Sequence, residues 1–348
     1  MAKIKVAVAG VGNCCSALIQ GIHHYNNGEA QGLLHKTLGG YTVNDIELVA
    51  AFDIDRRKVG LDLADAIMSD PNKTHQITKI KRLGIVVQMG FIADSLENSG
   101  EGLLDPSYSE DPVDVAGVLR ESGANVLVNL ISGSALKASK QYAEAALEAE
   151  CAFLNAAPSP IVNDDGMVKR FVEAGIPIAG DDLLDQIGAT VTHIALLEFL
   201  HSRGATIDES YQLDVGGGAE SVNTLWKTRR LKRDIKTTAV GGSVPYDFPL
   251  VSGSTDYVDF LGNKRESFFW FKGSYFGGTP FSMDVKLNTV DAPNAGAILL
   301  DVVRGLKIAS DKGLSGPISP ICAYGFKRPQ KRKGLTEAYR IFRDFVAK

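Results

Sequence analysis

Ile4-Lys5-Val6-Ala7-Val8-Ala9-Gly10-Val11-Gly12-Asn13-Cys14-Cys15 opens the chain as a run of β-branched and small apolar residues that meets a glycine turn. Such a run suits a strand covered on both faces. Gly10 permits a tight turn, and Gly12 lets the backbone come close to a pyrophosphate. A helix starting near Asn13 then aims free N–H groups and its positive dipole end at that phosphate. Working outward, Glu47-Leu48-Val49-Ala50-Ala51-Phe52-Asp53 reads as the next strand. Asp53, at its end, is placed to accept the two ribose hydroxyls of NAD, and its charge would repel a 2′-phosphate.

The fingerprint departs from the usual one in two ways. Cys15 stands where a third glycine is common, and Asp53 follows Gly12 at twice the usual distance of about 20 residues, because residues 26–45 are inserted between helix and strand. The bland alternative is an apolar strand followed by a glycine turn. The flanking helix and the strand-terminal Asp favour the nucleotide reading.

A chain of 348 residues exceeds the size at which one core keeps growing, so two domains are expected. Its 45% hydrophobic content describes a globular protein with an ample core, and a net charge of −4 argues against a nucleic-acid binder. The basic run 327–333 reads as a solvated face. No segment reaches the length of an apolar membrane span, and Met1-Ala2-Lys3 leads straight into the first strand without a signal peptide, so the cytoplasm is the expected location. Cysteines 14, 15, 151 and 322 show no C-x-x-C spacing, and neighbours such as Cys14 and Cys15 form no ordinary bridge. The histidines form no metal-binding motif.

Downstream, the pattern predicts a helix over 56–69, a strand over 84–88, a loop over 93–109 lying over the cofactor or at an interface, and a helix over 112–122 with Pro in its first turn. A strand over 125–131, a helix over 135–150, a strand over 152–155, a helix over 164–174 and a strand over 176–179 follow. This alternation is that of a doubly wound, Rossmann-type parallel sheet of six strands. Ligands gather at the carboxyl ends of such strands. Those ends carry Gly10 to Cys14, Asp53, Ser132-Gly133, Asn155-Ala156 and Gly180-Asp181-Asp182. Gln186-Ile187-Gly188-Ala189-Thr190 then opens a helix, either as a second anion site or simply as an acidic helix start favoured by the dipole.

From Tyr211 the pattern changes. Strand-like 212–215 enters Gly216-Gly217-Gly218, a polar helix carries Lys232 and Lys236, and 266–291 alternates as antiparallel sheet. A helix over 294–312 returns to the first domain. The expected organisation is therefore an NAD-binding domain over 1–205, completed by 294–348, and an inserted α+β domain over 206–293. Lys232 and Lys236, four residues apart on one helix face, should depress each other's pKa. Taken singly, each of Lys232, Lys236, Lys264 and Lys327 is a surface lysine by default.

Together these motifs support a resemblance. Gly10-Val11-Gly12-Asn13-Cys14, Phe52-Asp53-Ile54-Asp55, Gly180-Asp181-Asp182, Lys232-x-x-x-Lys236, Asn263-Lys264-Arg265, Asp291-Ala292-Pro293-Asn294-Ala295-Gly296 and Tyr324-Gly325-Phe326-Lys327-Arg328-Pro329 stand in the order found in myo-inositol-1-phosphate synthases. The match resembles the shorter prokaryotic branch and covers nearly the whole chain. The resemblance implies a nucleotide domain interrupted by a catalytic and tetramerisation domain, and a homotetramer. It implies conversion of glucose 6-phosphate to inositol 1-phosphate with tightly held NAD: oxidation at C5, enolisation through C6, aldol closure onto C1, and return of the hydride.

It also implies roles. Lys232, Lys236, Lys264 and Lys327 would be the active-site lysines, with Asp182 and Asp291 as acids. Gly10, Val11, Gly12, Asn13, Cys14, Asp53, Ile54, Ser132, Gly133, Asn155, Ala156 and Asp181 would hold the cofactor. Gln186, Gly188, Thr190 and Asn223 would hold the substrate. A divalent cation of unknown identity near Asp182 and Asp291 is a further expectation. One departure is Leu184-Asp185, where the family commonly has Lys-Ser. The competing readings are a net NAD-linked dehydrogenase of the homoserine or amino-acid type and a non-catalytic NAD-binding regulator.

Overall fold

The computed structural model of the chain describes residues 3–94, 104–107 and 110–347. Strand β1 (Ile4–Ala9) lies inside the first sheet, and its residues other than Lys5 are fully buried. It enters helix α1 (Asn13–Tyr25) through the glycine turn. The inserted segment carries a small hairpin, β2 (Thr37–Leu38) with β3 (Tyr41–Thr42), before β4 (Ile46–Asp53). Short helix α2 (Leu63–Ala66) and β5 (Val87–Met89) follow. Next come α3 (Val115–Ser122), β6 (Val126–Asn129), α4 (Leu136–Glu148), β7 (Ala152–Asn155), α5 (Asp165–Glu173) and β8 (Pro177–Ala179).

Three predicted elements differ. The helix expected over 56–69 shrinks to α2, because Asp62 accepts the Ala64 N–H as an N-cap and residues 56–61 form turns. The strand expected over 84–88 moves to 87–89. Helix α3 starts after Pro112 rather than on it, since Asp114 caps it by accepting the Gly117 N–H. The predicted loop over 93–109 lies largely outside the described residues.

Helix α6 (Ala189–Ser202) leads to the second sheet, made by β9 (Thr206–Gly216), β10 (Leu250–Tyr257), β11 (Lys264–Tyr275) and β12 (Thr279–Val290), with α7 (Ala219–Asn223) and α8 (Arg229–Gly241) between β9 and β10. The long α9 (Asp291–Asp311) returns to the first unit, followed by β13 (Gly316–Pro317), α10 (Ser319–Gly325) and α11 (Leu335–Ala347). Among the described residues the first sheet is parallel with order β13-β8-β7-β6-β1-β4-β5. Its strand order reverses beside β1, which opens a crevice at the carboxyl ends. β13, supplied from beyond the second sheet, adds a seventh strand to the six expected.

The second sheet, β10-β9-β11-β12, is mixed: β9 and β10 run parallel, and β11 pairs antiparallel with both β9 and β12. Phe269 and Phe271 on β11 point into a core that takes Ile194 and Leu197 from α6 and Val240 from α8. Helix α6, which the chain order assigns to the first unit, therefore packs with the second. Phe281, Met283, Val285 and Leu287 alternate against this core as their period of two dictates. Arg304 on α9, fully buried, pairs with Asp301 at 2.7 Å and donates to the His35 carbonyl at 2.9 Å, which anchors the inserted hairpin. No helix among the described residues is long and apolar enough to cross a membrane.

Candidate active site

A cavity of about 340 Å³ runs from the glycine turn to the start of α9, between the two sheets. At its first end Gly10 adopts φ +90°, and a Cβ there would strike the Leu130–Ile131 backbone at 2.8 Å. A Cβ on Gly12 would meet nothing within 4 Å. That open space lies before the first turn of α1, whose N-cap, Gly12, offers no side chain. An anion can therefore reach the free N–H groups.

Asp53 is held by three backbone donors: Val11 N–H at 2.6 Å, Ile54 N–H at 2.7 Å and Asp55 N–H at 2.9 Å. It faces the cavity with its remaining acceptor capacity, as a ribose diol requires. Lys58 and Asn72 both donate to the Val11 carbonyl, at 2.9 and 3.1 Å, and so pin the turn from below. Ile54, Asn13, Cys14, Ser132, Gly133 and Ala156 also line the cavity. Burial pushes the Cys14 thiol up to about 12, so it stays undissociated.

The other end concentrates charge. Asp182 sits at φ +60°, an uncommon conformation for a residue with a side chain. Its Oδ1 receives Lys327 Nζ at 3.0 Å and lies 3.8 Å from Lys232 Nζ, while Oδ2 is buried without a partner. Burial works against its charge, but the two ammonium groups outweigh burial and hold its pKa below the usual carboxylate range. Lys232 also contacts Glu220 at 3.2 Å. Burial alone would lower its pKa, yet Asp182 and Glu220 prevail and raise it, so Lys232 is a permanent cation. Arg265 donates to Asp291 at 2.8 Å from across the cavity.

Several expected site residues lie elsewhere. Lys264 is exposed and outside the cavity lining, where its neighbour Arg265 takes the place expected of it. The cause is strand alternation: position 265 shares its side of β11 with buried Ser267, Phe269 and Phe271. Lys236 is turned away from the lining onto Asp214, at 2.6 Å, with burial pulling its pKa down. Asp181 and Asn155 form a scaffold behind the site, 2.8 Å apart, and Asp181 also accepts the Val162 N–H. Val11 contributes its backbone groups only. Gln186 donates to the Gly32 carbonyl at 3.0 Å, and Gly188 and Thr190 are buried outside the lining. Asn223 does line the cavity, with its side-chain oxygen unpartnered.

Glu220, Ser221, Asn263, Arg265 and Asp185 line the cavity without having been assigned to it from sequence. Leu184 instead faces a small pocket behind the site, shared with Phe326 and Lys327. Among the described residues no three His, Cys, Asp or Glu side chains converge as metal ligands would. Asp182 and Asp291 are each engaged by Lys or Arg. The pair Asp182 and Asp291 thus already faces lysine and arginine, which does not favour a divalent cation held between them.

Residues 188–292 match the family model described as myo-inositol-1-phosphate synthase. The inositol-3-phosphate synthase of Corynebacterium glutamicum is 41% identical over 343 residues, covering 94% of each chain. That of Mycolicibacterium smegmatis is 37% identical over 95% of this chain and 94% of its own. Among solved structures, a myo-inositol-1-phosphate synthase-related protein from Thermotoga maritima superposes with a TM-score of 0.82 at 21% identity, over 99% of this chain and 98% of that one. That last likeness is one of fold.

Proposed function

The chain belongs to the myo-inositol-1-phosphate synthase family, an isomerase family, and from that premise we propose that it converts D-glucose 6-phosphate to 1L-myo-inositol 1-phosphate, also written 1D-myo-inositol 3-phosphate, by an NAD-linked isomerisation. The observation that carries this reading is one cavity with a dinucleotide-type turn at one end and Lys232, Lys327 and Arg265 at the other. NAD, when bound, would supply the hydride acceptor and donor for C5. Gly10, Gly12, Asn13 and the first turn of α1 would hold its pyrophosphate, and Asp53 its ribose. Lys232, Lys327 and Arg265 would face the negative charge that develops on the enolate and aldol oxygens, a service worth most in an enclosed site.

The test is incubation with glucose 6-phosphate and NAD, followed by product identification. Deuterium placed at C5 should reappear in the inositol phosphate, and no NADH should accumulate. Stoichiometric NADH would make the net dehydrogenase the better reading, and binding of NAD without turnover would favour the regulator.

Cofactor choice follows from Asp53. NAD should bind more tightly than NADP, and Asp53→Ala should narrow the difference; equal affinities in wild-type protein, titrated at one ionic strength, would remove Asp53 from this role. The same variant loses three backbone partners, so its thermal stability should fall as well.

The homotetramer expected from the family is retained as part of the proposal. The face of the second sheet opposite its core carries the stacked pair Tyr211–Trp270 and a part-exposed Phe268, which suits burial against another copy. A monomer in light scattering at micromolar protein would defeat it.

Arg265 and Lys264 give a sharper contrast. Arg265→Ala should lower kcat by about 10²–10³, as deletion of an oxyanion donor does, whereas Lys264→Ala should leave kcat near wild type. Steady-state kinetics of the two variants decide which neighbour serves the cavity.

A further inference from the structure

Cyclisation needs a group that takes a proton from carbon and delivers one to oxygen, and most charged groups around the cavity are poorly suited to it. Arg265 cannot deprotonate. Lys232 is held as a cation by Asp182 and Glu220. Asp182 is held ionised by two ammonium groups, which makes it a weak base. Asp291 and Glu220 are bound to Arg265 and Lys232. Cys14 remains a thiol, and no histidine lines the space.

Asp185 is different. It lines the cavity yet makes no hydrogen bond or ion pair among the described residues. Its carboxylate rests over Gly188, where a Cβ would come within 2.5 Å of Oδ2, so glycine at 188 keeps its seat clear.

We propose that Asp185 is the proton carrier of this site. The assignment rests on the isomerisation proposed above. In enolisation the Asp185 carboxylate takes one proton from C6 of the C5 ketone. The C–H electron pair becomes the C5–C6 double bond, and the carbonyl π pair moves onto the C5 oxygen, towards Lys232 and Lys327. In ring closure the enolate pair forms the C6–C1 bond and the aldehyde π pair moves onto the C1 oxygen. That oxygen takes the proton from Asp185, which ends as the carboxylate it began as.

The surroundings tune the group for this exchange. Burial raises its pKa; Lys327 and Arg265 oppose that, while Asp291 and Asp182 add to it, and the balance is upward. A shift towards neutrality improves a carboxylate as a base and its acid form as a donor at working pH. Because the base form starts the cycle, activity should rise with pH through the ionisation of Asp185.

The bland alternative is an acidic residue favoured at the start of α6 by the helix dipole. The decisive experiment uses the full chain loaded with NAD. With glucose 6-phosphate, Asp185→Asn should lose about 10²–10⁴ in kcat with KM and NAD affinity little changed, and its pH profile should lose the acid limb. Asp185→Glu should recover part of the rate. A kcat in Asp185→Asn within an order of magnitude of wild type, or a loss of stability with the acid limb intact, would overturn the proposal.

Infrared titration of carbon-13-labelled aspartate, wild type minus Asp185→Asn, needs no substrate. A carboxyl ionising above the ordinary aspartate range is the expected result alongside the kinetic loss, and one ionising within that range overturns the assignment. Wild-type protein that binds NAD but leaves glucose 6-phosphate unchanged sinks the isomerase reading and the proton-carrier assignment with it, whereas turnover by wild type with Asp185→Asn unimpaired sinks the assignment alone.

Discussion

Lys327→Ala is expected to cost the enzyme both rate and stability. The ammonium group donates to Asp182 Oδ1 at 3.0 Å and to the Leu183 carbonyl at 2.8 Å, and the residue is 8% exposed. Removing it takes a donor from the cavity end where negative charge would develop, a loss of about 10²–10³ in kcat by analogy with oxyanion-hole deletions. It also leaves buried Asp182 with Lys232 alone, at 3.8 Å. Breaking a buried pair on one side costs about 3–5 kcal/mol; the remaining lysine should hold the loss to the lower part of that range. Kinetics and urea unfolding of one variant read both effects. A fall in kcat with stability intact would mean that Asp182 draws its compensation from Lys232.

Lys236→Met should be still more damaging to the fold while touching the cavity only indirectly. Lys236 and Asp214 lie 2.6 Å apart with side chains 7% and 2% exposed, and Gln212 Nε2 also donates to both oxygens of Asp214. Burial works against the Asp214 charge, but Lys236 and Arg265 outweigh it and keep its pKa low. The depressed pKa fixes the sign of the pH dependence. This stabilisation is fully present above the unfolded aspartate pKa and is lost as pH falls through the folded one. Removal of Lys236 strands the carboxylate and should cost about 3–5 kcal/mol. The double variant Lys236→Met with Asp214→Asn should recover part of that loss, and denaturant melts of the cycle would show it. A double variant as unstable as the single would mean that packing, rather than charge, sets the effect.

The first sheet was legible because its signals are local. A buried strand, a glycine turn and a strand-terminal Asp53 each have a sequence signature, and they meet in the crevice where the strand order reverses. What escaped was longer in range. β13 is only Gly316-Pro317, too short to show a period, and it finds β8 after an excursion through the whole second sheet. Asp62 and Asp114 are of a residue type that caps helices, yet the expected helices began before them.

At the site, the motif Asn263-Lys264-Arg265 points to Lys264, although the alternation of Ser267, Phe269 and Phe271 puts 265 on the inward side. Asp185 and Glu220 carried no signal of their own. A carboxylate gains meaning only from the cations beside it, and those come from α8, β11 and the segment after α10. Gln186, Gly188 and Thr190 read plausibly as an anion site because a helix does begin there, but Gln186 is taken by the Gly32 carbonyl of the inserted segment, and Gly188 and Thr190 are buried outside the cavity lining.

The strap between residues 182–184 and 325–327 also has a consequence in time. Lys327 N–H donates to the Asp182 carbonyl, Leu184 N–H to the Gly325 carbonyl, and Lys327 Nζ to the Asp182 side chain. Partners 145 residues apart in the chain leave the ribosome roughly seven to thirty seconds apart at about 5–20 residues per second. Throughout that interval a nascent chain can complete the glycine turn, Asp53 and even the second sheet, but it cannot close the charged end. On the proposed function, the growing polypeptide can therefore acquire its dinucleotide site well before its charged end, and ribosome-stalled chains cut short of residue 327 should retain dinucleotide without turning over sugar phosphate.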